Sequence, residues 1–179
     1  MATAKSVEIT NLDTVPRTTI EPPNQGGVKV WMDTIAAATT DIDDDDILLM
    51  AELPSECKVL SIKIFNDDLD SNGSPTLATD VGIYNGGTAY TIAGTKTEAD
   101  AVIDRDAYAS ASAVLQAAVL TGTEVRFEAA NVNAIANYMW EDAGLASDPR
   151  VPLRIALTMS TVAATAVAGD VTVVVTYVV

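Results

Sequence analysis

From residue 28 onward, apolar and polar positions along this chain mostly alternate with a period of two. Val28, Val30 and Met32 face one way, Lys29, Trp31 and Asp33 the other. Leu60, Ile62 and Ile64 alternate with Val59, Ser61 and Lys63, and Leu77, Val81 and Ile83 alternate with Ala78, Asp80 and Gly82. Near the end, Val151, Leu153, Ile155, Leu157 and Met159 oppose Pro152, Arg154, Ala156, Thr158 and Ser160. Then Val171, Val173, Val175 and Tyr177 oppose Thr172, Val174 and Thr176. Successive side chains of a strand point to opposite faces, so each stretch predicts a β-strand. Ile47-Leu48-Leu49-Met50, closed by Pro54, reads as a strand covered on both faces, and Val125 with Phe127 as a further short one. Turns and loops connect these segments, which makes the pairing antiparallel.

Two stretches have helical signatures. Thr95 and Glu98 fit a capping box leading into a helix over 99–108. Ile135, Tyr138 and Met139 fall at helical spacing within 133–143, with Gly144 placed to end that helix. The expected fold is mainly β: an antiparallel, jelly-roll-like β-sandwich over 28–179 with one or two short helices in its connections.

Residues 1–27 differ in character. Pro16, Pro22, Pro23 and Gly26-Gly27 interrupt polar and β-branched residues, which predicts an extended N-terminal arm. Such a segment is either a disordered tail or an arm that orders against a neighbouring subunit, with Val7, Ile9, Leu12 and Ile20 to bury.

Composition narrows the function. The 179 residues hold 25 Asp plus Glu against 10 Lys plus Arg, a formal charge of −15. A surface of that sign repels phosphate backbones, so no nucleic-acid partner is expected. There is no histidine, which removes Ser-His-Asp and Cys-His nucleophile systems and the His-containing zinc and iron sites. The single Cys57 cannot form an internal disulfide and reads as a structural thiol. No apolar run approaches the roughly 20 residues of a membrane-spanning helix, and Met1–Ser6 lacks the apolar core of a secretory signal. A soluble chain with no membrane partner, made in the cytoplasm, is expected.

The acidic turn 66–73 is the chief candidate site. Asp68, Asp70 and Asn72, followed by Gly73, match the first half of a calcium loop, in which alternate oxygen ligands precede a glycine. The twelfth position holds Thr79 rather than Glu, and the flanks are strands, so a hairpin connection accounts for the same residues. Calcium on Asp68, Asp70 and Asn72 is the one metal expectation, and no other cofactor is expected. Asp41 and Asp43–Asp46 form a second acidic run, read as a solvated loop. Trp31 and Trp140 could stack on sugars but read as packing residues, and Asn85-Gly86-Gly87 lacks the Lys-Ser/Thr of a phosphate loop. No catalytic constellation emerges, and no catalytic residue is named.

Residues 57–65 with Asn66-Asp67-Asp68-Leu69-Asp70, and Asp80-Val81-Gly82-Ile83-Tyr84, resemble the capsid decoration, or cement, proteins of tailed bacteriophages. Met139-Trp140-Glu141-Asp142-Ala143-Gly144-Leu145 with Asp148-Pro149, and Ala168-Gly169-Asp170-Val171-Thr172-Val173, carry the same likeness. The resemblance implies a non-enzymatic virion protein that forms trimers, binds the major capsid protein on the outer lattice and stabilises it. It would be made in the bacterial cytoplasm, with residues 1–27 as its anchor. Another virion part (neck, tail or fibre base) would suit the same scaffold, and a calcium-dependent carbohydrate-binding module is the alternative of a different class.

Overall fold

The computed structural model describes residues 3–5, 9–10, 13–15, 27–92 and 94–179. Eight strands make the sandwich: β2 (Val28–Ala37), β3 (Ile47–Leu53), β4 (Lys58–Asn66), β5 (Ala78–Asn85), β8 (Val102–Ser112), β9 (Val119–Glu124), β10 (Leu153–Thr161) and β11 (Gly169–Val178). One sheet has the order β2-β11-β4-β9. The other has β3-β10-β5-β8, extended at its β3 edge by β1 (Thr3–Lys5). Strands from the two halves of the chain interleave in both sheets, the strand order of a jelly roll. All pairings within the sandwich are antiparallel, and β1 joins β3 in parallel. A small ribbon, β6 (Tyr90–Ile92) with β7 (Thr95–Thr97), lies outside both sheets.

The core lies between the sheets and draws one face of each strand: Ile62 and Ile64 of β4, Val171, Val173 and Val175 of β11, Val81 and Ile83 of β5, and Leu153, Ile155 and Leu157 of β10. These are the apolar phases read from the sequence. On β2, Ile35 and Ala37 enter the core with Trp31 packed against it, so the apolar trio Val28, Val30 and Met32 is the outward phase. A bulge at Met50 breaks the register of β3 with β10, and the Met50 carbonyl accepts a hydrogen bond from the Trp31 indole across the sandwich at 3.2 Å.

Four sequence expectations are corrected. Residues 99–108 are not a helix: they run into β8, and Thr95 and Glu98 belong to the ribbon and its turn. Local capping chemistry loses there to pairing with β5. The strand expected at 125–127 is displaced to β9, which ends at Glu124. The helix expected over 133–143 is a 3₁₀ turn, Val132–Ala136, followed by the four-residue helix α1, Met139–Asp142. Gly144 follows with φ +65°. Finally, 66–77 is not a hairpin connection, because β4 and β5 belong to different sheets and the segment crosses between them.

The described residues of the N-terminal arm lie on their own sandwich. Thr3, Ala4 and Lys5 pair with Ile47, Leu48 and Leu49. Ile9 is fully buried in a second apolar cluster with Leu49, Tyr84 and Ala156 on the outer face of the β3-β10-β5-β8 sheet. This cover explains why every position of β10 from Leu153 to Met159 is buried, including the phase that turns away from the core.

Candidate functional site

The crossover between β4 and β5 centres on Asp70, which is 1% exposed. Its Oδ2 accepts hydrogen bonds from the backbone N–H of Thr76 (2.7 Å), Leu77 (3.0 Å) and Ala164 (3.0 Å), and its Oδ1 accepts from Thr165 N–H (2.8 Å). Burial pushes the Asp70 carboxyl up, but the amides of Thr165, Ala164, Leu77 and Thr76 outweigh it and hold the carboxyl well below the usual carboxylate range. Asp68 Oδ1 accepts from the Asp70 amide at 3.0 Å. Asn72 Oδ1 accepts from Ser74 N–H, and its Nδ2 donates to Thr165 Oγ1. The three expected calcium ligands therefore share one loop, but at least one oxygen of each accepts from a backbone donor of its own. Among the described residues, no group of three or more Asp, Glu or Cys side chains is arranged to hold a metal ion. What the Asp70 arrangement does is clamp: it ties the crossover to the β10–β11 loop. Leu69 N–H, donating to Leu115 O at 3.2 Å, adds the β8–β9 loop.

The β2–β3 loop joins this same end. Asp41 Oδ2 accepts from Ala38 N–H, Asp46 Oδ2 accepts from Asp43 N–H, and Asp45 N–H donates to Met159 O. Arg105 of β8 donates to Asp45 at 2.5 Å, to Asp80 at 2.7 Å and to Met159 O at 3.1 Å. Gly82 allows this approach, because a Cβ there would lie 2.1 Å from the Arg105 carbonyl oxygen. The four loops of this end, 38–46, 67–77, 113–118 and 162–168, carry eight aspartates and no lysine or arginine. Its field is negative, whatever it meets.

A second set of charges lies under the arm. Arg154 is fully buried and donates to Glu52 (2.9 and 3.0 Å), to Asp13 (2.6 Å) and to Asp100. Lys5 donates to Asp13 at 2.6 Å and Asp100 at 3.1 Å. Nothing in local sequence marks Arg154 as buried: it sits in the polar phase of β10, and only the covering arm encloses it.

At the opposite end, Arg126 is buried, donates to Asp142 at 2.7 Å and to Val59 O at 3.1 Å, and stacks over the rings of Tyr108 and Phe127 at 4.6 and 4.8 Å. Cys57 is buried, and burial together with the nearby Asp142 pushes its thiol up to about 12, a structural rather than nucleophilic state. Trp31 and Trp140 both pack against the main core, as the sequence reading expected of them.

The outward face of the β2-β11-β4-β9 sheet is different. Val28, Val30 and Met32 are 63%, 57% and 68% exposed along β2, the edge strand. Paired beside them on β11 are the half-buried Val178, Thr176 and Val174, with Lys58, Ser61 and Lys63 beyond on β4. The phase of Ile35 and Ala37, continued backward to Trp31, was the signal in the sequence that puts the trio outside.

No family model matches the chain, and no curated protein matches it. Solved structures that share its fold include chains of two phage capsids. A chain of the capsid of Ralstonia phage GP4 superposes with a TM-score of 0.64 at 21% identity, covering 99% of this chain and 97% of that one. A chain of the cyanophage Pam1 capsid asymmetric unit gives a TM-score of 0.56 at 23% identity, covering 92% and 95%. At these identities the likeness is one of fold, and it extends over more than nine-tenths of each chain compared.

Proposed function

We propose that this chain is a non-enzymatic structural protein of a phage virion, which decorates the outside of the capsid lattice and stabilises it. The observation that carries the reading is the match with a chain of the Ralstonia phage GP4 capsid, which covers 99% of this chain and 97% of that one. The site geometry fits it. The conspicuous carboxylate and guanidinium groups clamp loops and bury ion pairs, and the acidic loop end and the apolar outer face are surfaces for contact with protein. Trimers about the local threefold axes of a shell, bound to the major capsid protein, are the assembly this reading implies.

The test is direct. Purified chain is mixed with shells that lack it, and shells are separated by sedimentation. Saturable binding at a fixed ratio to capsid subunits, together with a raised temperature of shell disruption, is expected, and the mass of the free protein should be a whole multiple of three chains. Shells that sediment bare at saturating protein would overturn the decoration role.

A further inference from the structure

A sheet edge offers a row of unpaired N–H and C=O groups, and monomeric proteins blunt such edges with short strands, bulges, charges or covering segments. Three of the four edges here are blunted. The β3 edge is covered by β1, only three residues long. β8 breaks register with β5 three times. β9 has six residues, a register shift and Gly122 at φ +76°. Among the described residues the β2 edge has neither a bulge nor a cover, and its two charges, Lys29 and Asp33, lie on the inner face. Its ten residues pair with β11 without a shift from Val28 to Ala37, and it contains no proline. No described residue pairs with its other side, and its outward side chains are Val28, Val30, Met32, Thr34 and Ala36.

We propose that β2 is a self-association interface, pairing antiparallel with β2 of a second copy about a two-fold axis at Met32. Two four-stranded sheets then become one of eight strands. The sequence of β2 selects that register. Centred on Met32, Val30 meets Thr34 and Val28 meets Ala36 on the outer face, while Trp31 meets Asp33 and Lys29 meets Ile35 on the inner face. No like charges stand opposite one another, and Lys29 lies diagonal to Asp33 of the second copy, within reach of attraction. Centring the axis on Asp33 would set two carboxylates face to face. Centring it on Trp31 would shorten the pairing and oppose two indoles, each already bonded to Met50 O. The contact is isologous, so it closes on two copies, and it coexists with threefold assembly by linking one trimer to the next. It stands independently of the decoration role.

The native Cys57 is buried, so a thiol placed on β2 is the accessible one in the full-length chain. Residues directly opposite in an antiparallel pair have Cα atoms roughly 4.5–5.5 Å apart, within disulfide range. Met32→Cys should form a disulfide-linked pair under mild oxidation, at least tenfold faster than Leu120→Cys, whose site on β9 is 84% exposed. Met32→Asp should halve the sedimenting mass of the free protein. Cross-linking of Met32→Cys no faster than that of Leu120→Cys, or an unchanged mass for Met32→Asp, would overturn the proposal; shell binding is a separate measurement and decides nothing here.

Discussion

The Asp70 carboxylate and the Thr165 amide lie 95 residues apart in the chain and 2.8 Å apart in space. That bond, with three more from Thr76, Leu77 and Ala164, fastens the crossover between the sheets to the β10–β11 loop. Asp70→Ala leaves four backbone donors without their acceptor, at about 1–3 kcal/mol for each that stays dry. A total loss of about 4 kcal/mol is expected in urea unfolding. Asp70→Asn keeps one acceptor oxygen but turns an NH₂ group toward an N–H, and should cost about 2 kcal/mol. Because the folded carboxyl is held below its ordinary value, its stabilisation is complete above the unfolded pKa of roughly 4 and is lost as pH falls below that. The wild type should therefore lose more stability than Asp70→Asn between pH 4 and pH 2, and parallel curves would refute the clamp.

Gly82→Ala tests the arch of β8. A methyl 2.1 Å from the Arg105 carbonyl forces the backbone away and pulls Arg105 from Asp45 and Asp80. A loss of about 3 kcal/mol is expected, or roughly 2–4 °C of Tm per kcal/mol for a chain of this size. Gly73→Ala, where nothing lies within 4 Å, serves as the control and should melt with the wild type.

Arg126 and Asp142 form a buried pair, with side chains 0% and 4% exposed. Removing the cation alone strands a buried carboxylate, so Arg126→Met should cost about 3–5 kcal/mol. Adding Asp142→Asn should restore part of that loss. A double-mutant cycle in guanidinium chloride measures the coupling, and additive single costs would mean that the pair is not a unit.

Ile9 tests the arm. Ile9→Ala removes the apolar plug over Leu49, Tyr84 and Ala156, so the arm should open locally. Trypsin should then cleave after Lys5 at least about tenfold faster, while the main thermal transition stays in place. Unchanged cleavage would show that the ion pairs of Lys5 and Asp13 hold the arm without the plug.

Legibility of the fold followed the cause of each element. Alternation found β4, β5, β10 and β11, a closed apolar run found β3, and β2 was legible as a strand although its apolar positions change phase between Met32 and Ile35. β8 was missed because its arch over Gly82 scrambles the alternation, so that Thr95 and Glu98 outweighed it with a local helix signal. The acidic turn was legible as a turn and as acidic. Its role depends on Ala164 and Thr165, whose approach no local pattern encodes. The same holds for Arg154, read as an ordinary polar-phase residue until Glu52, Asp13 and Asp100 close around it.

The seat of the arm also dictates an order of events in synthesis. Ile9 is translated before the whole of its seat, which is built from Leu49, Tyr84 and Ala156, and Arg154 must be in place to receive Asp13. Ile9 and Asp13 cannot settle until Ala156 has been translated and β10 has been inserted between β3 and β5. A segment made before its seat is thus late to find its partners, and its arrival reports that the sheet beneath it is complete.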